Sequence, residues 1–262
     1  MNENTEVNKL INEFCNFNEV QAIALGGSRA TERSDTKSDY DFYIYLERNL
    51  NSEIRYKILS NYCSIIEVGN NYWELEDNCK LNNGIDIDII YRDLYQITKN
   101  IADVVENGNS YNGFTTCLWH NILTSKIIYD KNNILKKTKE RFSIPYPNKL
   151  KENIIKRNMT LLSGSLVSYD KQIIKNIKRN DMVNLNNRIT AFLASYFDII
   201  FAINELPNPG EKRLVEISIK ECRILPNGFE NNINSLFHCI NNDKLNTIDI
   251  IETIVCELKK IL

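Results

Sequence analysis

Residues 24–45 of the chain read ALGGSRATERSDTKSDYDFYIY. An apolar run ends in a Gly-Gly-Ser turn at residues 26–28, a polar loop follows, and Asp39 and Asp41 then open a second apolar run. Because alternate side chains of an extended strand share a face, the carboxylates of Asp39 and Asp41 are predicted to point the same way. The stretch therefore predicts a glycine turn and a pair of acids, set between two strands.

The acid pair and the turn together indicate phosphate chemistry. Two bare carboxylates resist full ionisation, and hard cations such as Mg²⁺ remove that cost. Two such ions can hold both oxygens of an in-line phosphoryl displacement. Gly26 and Gly27 lack Cβ atoms, so their backbone can approach a phosphate, and the Ser28 hydroxyl adds a donor. Arg29 follows, either as a further phosphate contact or as a solvated surface residue.

Gly-Ser, ten residues and then Asp-x-Asp resembles the signature of the polymerase-β-like nucleotidyltransferase superfamily. The resemblance implies two Mg²⁺ ions on Asp39 and Asp41, a nucleoside triphosphate substrate, and a third acid on a later strand. Residues 84–93, GIDIDIIYRD, alternate apolar and acidic side chains, so Asp86 and Asp88 share one strand face. The resemblance to antibiotic nucleotidyltransferases favours Asp88 as the third metal ligand and proton acceptor, with Asp86 as the alternative.

Composition bounds the class of protein. The chain has 262 residues, of which 43% are hydrophobic and 25% charged, as expected for one large or two modest globular domains. A formal net charge of −2 offers no global basic field for a long nucleic acid. Seven cysteines without a C-x-x-C pair predict reduced thiols in a cytoplasm and no zinc site. No apolar run reaches the roughly 18 residues that span a bilayer, so no membrane association is predicted.

Hydrophobic periodicity predicts alternating strands and helices in the first half of the chain. The expected helices are 6–17, 51–60, 94–107, 114–123 and 132–141, with a helical turn at 28–33. The expected strands are 20–25, 42–46, 64–68, 84–93 and 126–130. Residues 69–83 are polar and are predicted to be a loop. The alternation predicts a mixed sheet with helices packed against it.

Residues 145–147, Pro-Tyr-Pro, interrupt this alternation, and the periodicity beyond them is helical. We therefore expect an α+β chain: a mixed-sheet nucleotidyltransferase core over 1–145, followed by a C-terminal α-helical bundle over 146–262 that contacts substrate or nucleotide. Ligand sites often lie between domains, and we expect the active cleft there.

A segment of the predicted bundle resembles one in bacterial nucleotidyltransferase-like proteins. It is residues 202–214, AINELPNPGEKRL, and it contains an Asn-Pro-Gly turn followed by Lys212 and Arg213. The resemblance implies that Lys212 or Arg213 reaches the triphosphate, because both side chains suit phosphate. The alternative is a charged helix start after a turn.

The resemblance implies an Mg²⁺-dependent enzyme that transfers a nucleoside monophosphate, AMP from ATP, to a hydroxyl of a small acceptor. The family modifies aminoglycosides, lincosamides, tRNA ends and proteins, and the slight acidity of the chain favours an aminoglycoside-like drug and hence antibiotic resistance. Glu74, Glu76 and Asp77 are acids outside the metal set that can attract such a cation. Two alternatives stay open: a toxin–antitoxin enzyme that labels tRNA or a partner protein, and a non-catalytic nucleotide-binding regulator, which a complete set of three acids disfavours.

Overall fold

The computed structural model describes residues 5–31 and 38–262. Within those residues the strands form one six-stranded sheet in the order β3-β4-β5-β2-β1-β6. The central pair β2 and β5 is parallel and the other neighbours are antiparallel, so the sheet is mixed. The strands are β1 (Val20–Leu25), β2 (Tyr40–Leu46), β3 (Cys63–Asn70), β4 (Leu75–Leu81), β5 (Asp86–Arg92) and β6 (Lys126–Asp130).

The helices dominate the second half of the chain. In chain order they are α1 (Thr5–Cys15), α2 (Gly27–Ala30), α3 (Ser52–Leu59), α4 (Leu94–Val105), α5 (Cys117–Thr124), α6 (Ile134–Phe142), α7 (Asn148–Leu162), α8 (Tyr169–Arg179), α9 (Met182–Ile203), α10 (Leu214–Glu221), α11 (Phe229–Asn242) and α12 (Lys244–Lys259), with a 3₁₀ turn at Lys131–Asn133. A mixed sheet followed by a helical region confirms the predicted α+β class.

The chain divides into two compact units. The first comprises Met1–Asn100 and Asn121–Ile144 and contains the sheet, and the second comprises Ile101–His120 and Pro145–Leu262 and is helical. Residues 101–120, which the sequence prediction places in the first domain, cluster with the helical unit. Hydrogen bonds join this segment to the helical unit: Gly113 N–H donates to the side chain of Asn158, and Thr115 N–H donates to Asp198.

One face of the sheet forms the core of the first unit. Alternate residues of β2 and β5 are buried there together with the apolar faces of α1 and α3, and burial of this apolar surface is the main favourable contribution to folding. The buried set is Val7, Leu10, Ile11, Phe14, Tyr40, Phe42, Ile44, Leu46, Ile58, Leu59, Ile87, Ile89 and Tyr91. Because side chains alternate along a strand, the intervening residues of β2 and β5 project from the opposite face.

Strand β4 lies inside residues 69–83, so the predicted loop there was wrong. The strand pairs with β3 as an antiparallel hairpin. Its alternation is hidden because Asp77 occupies a core-facing position between Leu75 and Cys79 and is fully buried. Arg55 Nη1 lies 2.6 Å from one carboxylate oxygen of Asp77, and the Tyr91 hydroxyl donates to the other at 2.8 Å. A charge with two such partners is tolerated where an apolar side chain is expected.

The second unit is built around α9, whose C-terminal half, from Ala194 to Ile203, is buried on all sides. A helix segment buried in this way must be surrounded, and α7, α8 and α10 contact α9. The seven cysteines are all free thiols. No helix in the described part of the chain is long and apolar enough to cross a membrane.

Candidate active site

Three acids meet at the sheet face opposite the core. The parallel register of β2 and β5 sets Asp41 directly opposite Asp88, and Asp39 immediately precedes β2. One carboxylate oxygen from each of the three residues lies within 4.8 Å of the other two, and each residue is half-buried. The structure therefore brings together the three carboxylates that the sequence selected from two separate segments.

Asp86, the alternative third acid, lies elsewhere. It is at the start of β5, its side chain is 64% exposed, and its carboxylate pairs with Lys80 at 2.5 Å. Among the described acids, the cluster that could hold a metal ion contains Asp88 and leaves out Asp86. The geometry thus distinguishes two residues that share one face of the same strand.

The Gly-Gly turn packs directly on this acid cluster. Gly26 N–H donates to the carbonyl of Asp41 at 2.7 Å, which joins the turn to β2. A Cβ atom at Gly26 would lie 2.2 Å from Cε2 of Tyr43. At Gly27 a Cβ would lie 1.8 Å from Oδ2 of Asp41, and φ is +59°. Half-buried Ser28 follows in α2, whereas residues 32 and 33 of the predicted helical turn lie outside the described residues.

Residues 8–134 match the family model described as polymerase beta, nucleotidyltransferase. This stretch is a nucleotidyltransferase domain of the polymerase β family. It includes the Gly-Gly-Ser turn, all three clustered acids and the six strands of the described sheet. No curated protein sequence matches the chain significantly.

Solved structures similar to the chain include further nucleotidyltransferases. A nucleotidyltransferase-like protein from Exiguobacterium sibiricum 255-15 has 10% identity and a TM-score of 0.42, over 98% of this chain and 73% of that one. An aminoglycoside 6-adenyltransferase from Bacillus subtilis has 9% identity and a TM-score of 0.31, over 99% and 92%. A CCA-adding enzyme from Thermotoga maritima, complexed with tRNA, has 9% identity and a TM-score of 0.28, over 97% of this chain and 78% of that one. At these values we infer no substrate from them.

Arg29 of the nucleotidyltransferase domain holds the start of β2. Its Nε donates to the carbonyl oxygens of Ser38 and Asp39 at 3.0 Å each, and its Nη2 donates to that of Ser38 at 2.5 Å. The guanidinium carbon lies 3.9 Å from the ring centroid of Tyr40. Arg29 is therefore not a free surface residue, and its predicted contact with a phosphate stays a prediction.

A second polar network of the nucleotidyltransferase domain supports the ring beneath Gly26. Arg92 binds Glu74 through Nε and Nη2 at 2.7 Å each, donates to Asn121 at 2.8 Å, and lies 4.0 Å from the ring centroid of Tyr43. Asn121 donates to the Tyr43 hydroxyl at 2.8 Å. Burial lowers the pKa of Arg92, but hydrogen bonding and the charge of Glu74 outweigh it and hold this cation charged. The sequence offered one signal for this network: Arg92 is a charged residue in an otherwise apolar strand, and a buried charge needs a partner.

The acids proposed to attract a cationic acceptor differ in their surroundings. Glu74 forms an ion pair with Arg92, and Asp77 forms a buried ion pair with Arg55. Glu76 of β4 is half-buried, and the described residues provide no hydrogen-bond or ion-pair partner for it. Of the three acids, Glu76 alone offers a carboxylate that is not already neutralised by an arginine.

Lys212 and Arg213 belong to the helical unit. Both side chains are exposed, and Arg213 precedes α10 with a φ of +56°. Their predicted contact with the triphosphate stays a prediction.

Proposed function

We propose that the chain transfers AMP from ATP to a hydroxyl group of a small cationic acceptor of the aminoglycoside type, with release of pyrophosphate. One observation carries the proposal: three half-buried carboxylates from Asp39, Asp41 and Asp88 converge beside a Cβ-free turn in a nucleotidyltransferase domain. The identity of the base and of the acceptor goes beyond the family and belongs to the proposal.

The three acids fit magnesium. They offer three carboxylate oxygens within 4.8 Å of one another, and hard oxygen ligands are those that Mg²⁺ prefers. Bare carboxylates held this close repel one another, so a bound cation removes an electrostatic cost that the fold otherwise carries. Asp39, Asp41 and Asp88 would hold two Mg²⁺ ions, which would neutralise charge that develops on the transferred phosphoryl group.

The remaining chemistry belongs to the side chains of the chain. The acceptor oxygen forms a bond to the α-phosphorus, while the bond from that phosphorus to the bridging oxygen breaks and pyrophosphate leaves with the electron pair. Asp88 accepts the proton of the attacking hydroxyl. Gly26 N–H already donates to the backbone carbonyl of Asp41. The donors proposed for the triphosphate are therefore the Gly27 N–H and the Ser28 hydroxyl, and Lys212 or Arg213 is proposed to neutralise the charge of the triphosphate.

Glu76 supports a cationic acceptor. On β4 it is two residues from Asn78, the register partner of Asp88, so both side chains lie on the face that carries the acid cluster. A half-buried carboxylate without a cationic partner among the described residues is suited to an ammonium group.

A second candidate function, modification of tRNA, is favoured by one observation in the helical unit. A cavity of about 440 Å³ there presents two cations, Lys156 and Arg157, and no acid. Arg157 is held by a hydrogen bond from its Nε to Asn112 at 2.8 Å. Such a lining suits a phosphate group. Its other lining residues are Ser110, Asn112, Asn153, Thr160 and Leu161.

The test offers each labelled nucleoside triphosphate with Mg²⁺ to an aminoglycoside and lincosamide panel, to total tRNA and to a cell lysate. Label on a cationic drug supports the proposed function, and label on tRNA supports the second candidate. Binding of the nucleotide without transfer to any acceptor would contradict both and favour a regulator.

Variants of the acids test their assignment. Asp39→Asn, Asp41→Asn and Asp88→Asn are each expected to lower kcat about 10²- to 10³-fold, because each removes a carboxylate that would hold the Mg²⁺ ions that stabilise the transition state. Asp86→Asn is the matched control, since it removes an exposed acid on the same strand and should leave kcat within about twofold. Full turnover by the Asp88 variant, or equal losses for both β5 acids, would contradict the assignment.

A further inference from the structure

A chain of hydrogen bonds runs across the sheet to Asp88. Asn78 lies directly opposite Asp88 in the antiparallel register of β4 and β5, and its Nδ2 donates to Asp88 Oδ1 at 2.8 Å. Asn70 of β3 donates through its own Nδ2 to Oδ1 of Asn78 at 2.7 Å and to Oε2 of Glu67 at 3.1 Å. Two amides thus link two carboxylates over three neighbouring strands.

We propose that Asn78 is a positioning residue that fixes the carboxylate of Asp88, and that Asn70 fixes the orientation of Asn78. The proposal rests on the proposed metal site. A side-chain amide has one accepting and one donating end, so it can serve a carboxylate in only one of its two orientations. Reversing Asn78 would set its oxygen against the oxygen of Asp88 and its nitrogen against the nitrogen of Asn70.

The direction of the chain follows from its ends. A carboxylate oxygen accepts hydrogen bonds, so Asn70 must turn its amide nitrogen toward Glu67 and Asn78 must turn its amide nitrogen toward Asp88. Asn70 uses its amide nitrogen for both of its partners, which leaves the oxygen of Asn78 as the acceptor and its nitrogen for Asp88. The orientation at Asp88 is therefore set from the edge strand.

Fixing the carboxylate matters because a side chain that rotates freely must be ordered when the metal binds. The entropy lost in that ordering lowers the affinity of the site for the metal. Partners that orient a ligating carboxylate typically contribute about 10- to 100-fold to metal affinity. Asp88 and Asn78 are both half-buried, so water competes with this hydrogen bond less than at an exposed site.

The test measures binding of Mn²⁺, a paramagnetic cation with hard oxygen preferences, by electron paramagnetic resonance titration of the full chain. Asn78→Leu keeps the approximate shape and removes the donor, and we expect a roughly 10- to 100-fold weaker Kd. The matched control is Asn71→Leu, an exposed position on the same hairpin, which should leave the Kd unchanged. Circular dichroism establishes that both variants are folded at the temperature of the titration.

Asn70 supplies the sharper test, because a role through Asn78 makes the two substitutions non-additive. Asn70→Leu is expected to weaken Mn²⁺ binding less than Asn78→Leu does, and the double variant should bind no more weakly than Asn78→Leu alone. Additive losses, or a wild-type Kd for Asn78→Leu, would overturn the inference and leave the proposed function standing. If Asp41→Asn also kept the wild-type Kd, the proposed metal site would fail as well.

Discussion

Gly27 is subject to two independent constraints at a single residue. Its φ of +59° lies in the left-handed region, which side chains with a Cβ rarely adopt. A Cβ there would also lie 1.8 Å from Oδ2 of Asp41, well inside contact distance. Either Asp41 or the turn must therefore move when any other residue stands at this position.

Gly27→Ala is expected to lower the free energy of unfolding by about 1–3 kcal/mol and to weaken Mn²⁺ binding, because it adds backbone strain and displaces Asp41, a carboxylate of the proposed metal site. Gly84→Ala is the matched control, since φ there is +86° and an added Cβ meets nothing within 4 Å. Urea unfolding and Mn²⁺ titration of both variants make the comparison. Equal effects on Mn²⁺ affinity would show that backbone strain alone operates at Gly27.

The sequence could identify the acid pair but could not choose the third acid from physics. Asp39 and Asp41 follow from the spacing of a strand, and Asp86 and Asp88 share one face by the same rule. Only the parallel register of β2 with β5, which is a contact between distant segments, sets Asp88 and not Asp86 opposite Asp41. Asn78 left no signal, because the strand that carries it was predicted to be a loop.

At the scale of elements, strand β4 depends on a buried ion pair. Asp77 is fully buried and Arg55 of α3 is 4% exposed. Burial raises the pKa of Asp77, although the hydrogen bond from Tyr91 and the charge of Arg55 oppose the rise. Periodicity could not predict this strand, because Asp77 interrupts the apolar alternation. A charge at that core-facing position is compatible with a strand only when Arg55 of α3 pairs with it.

Asp77→Leu is expected to lower the free energy of unfolding by about 3–5 kcal/mol, because it leaves Arg55 buried and unpaired. The double variant Arg55→Met with Asp77→Leu should recover much of that loss, since it removes both charges. Lys80→Met at the exposed pair with Asp86 is the control and should cost less than about 1 kcal/mol. Urea unfolding measures all three, and a double variant less stable than Asp77→Leu would contradict this account.

At the scale of the whole chain, one buried acid joins several segments of the helical unit. Asp198 of α9 accepts hydrogen bonds from Thr115 N–H at 3.0 Å and from its hydroxyl at 2.6 Å, and from the amides of Asn158 and Asn208 at 3.3 and 3.2 Å. Three segments distant in sequence thus meet at one carboxylate. Burial raises its pKa to about 6, and those hydrogen bonds oppose the rise.

This raised pKa predicts a pH dependence of stability. The folded value of about 6 exceeds the ordinary 3.8, so the contribution of Asp198 is fully present below about pH 4 and is lost as the pH rises through about 6. The difference amounts to about 3 kcal/mol. Nearby Tyr146 stays protonated in this range, because burial raises its pKa.

Asp198→Asn removes the titration, so the stability of the wild type relative to this variant should fall as the pH rises from 4 to 7. Thermal or urea unfolding across this range provides the measurement. Parallel stability curves for the two proteins would contradict the prediction.

The helical second half was predictable from periodicity, because α7 to α12 bury apolar faces against one another and each face recurs at helical spacing. The place of residues 101–120 in the helical unit was not predictable. Hydrogen bonds to Asn158 and Asp198 join segments that no local sequence pattern connects.

The parallel pairing of β2 with β5 has a consequence for synthesis on the ribosome. The antiparallel hairpin of β3 and β4 is made between them, so a nascent chain holds Asp39 and Asp41 long before it holds Asp88. Until β5 has emerged and inserted beside β2, no growing or prematurely released product can assemble the complete set of charges. On the proposed function, nucleotidyl transfer is therefore expected only after β5 has been made.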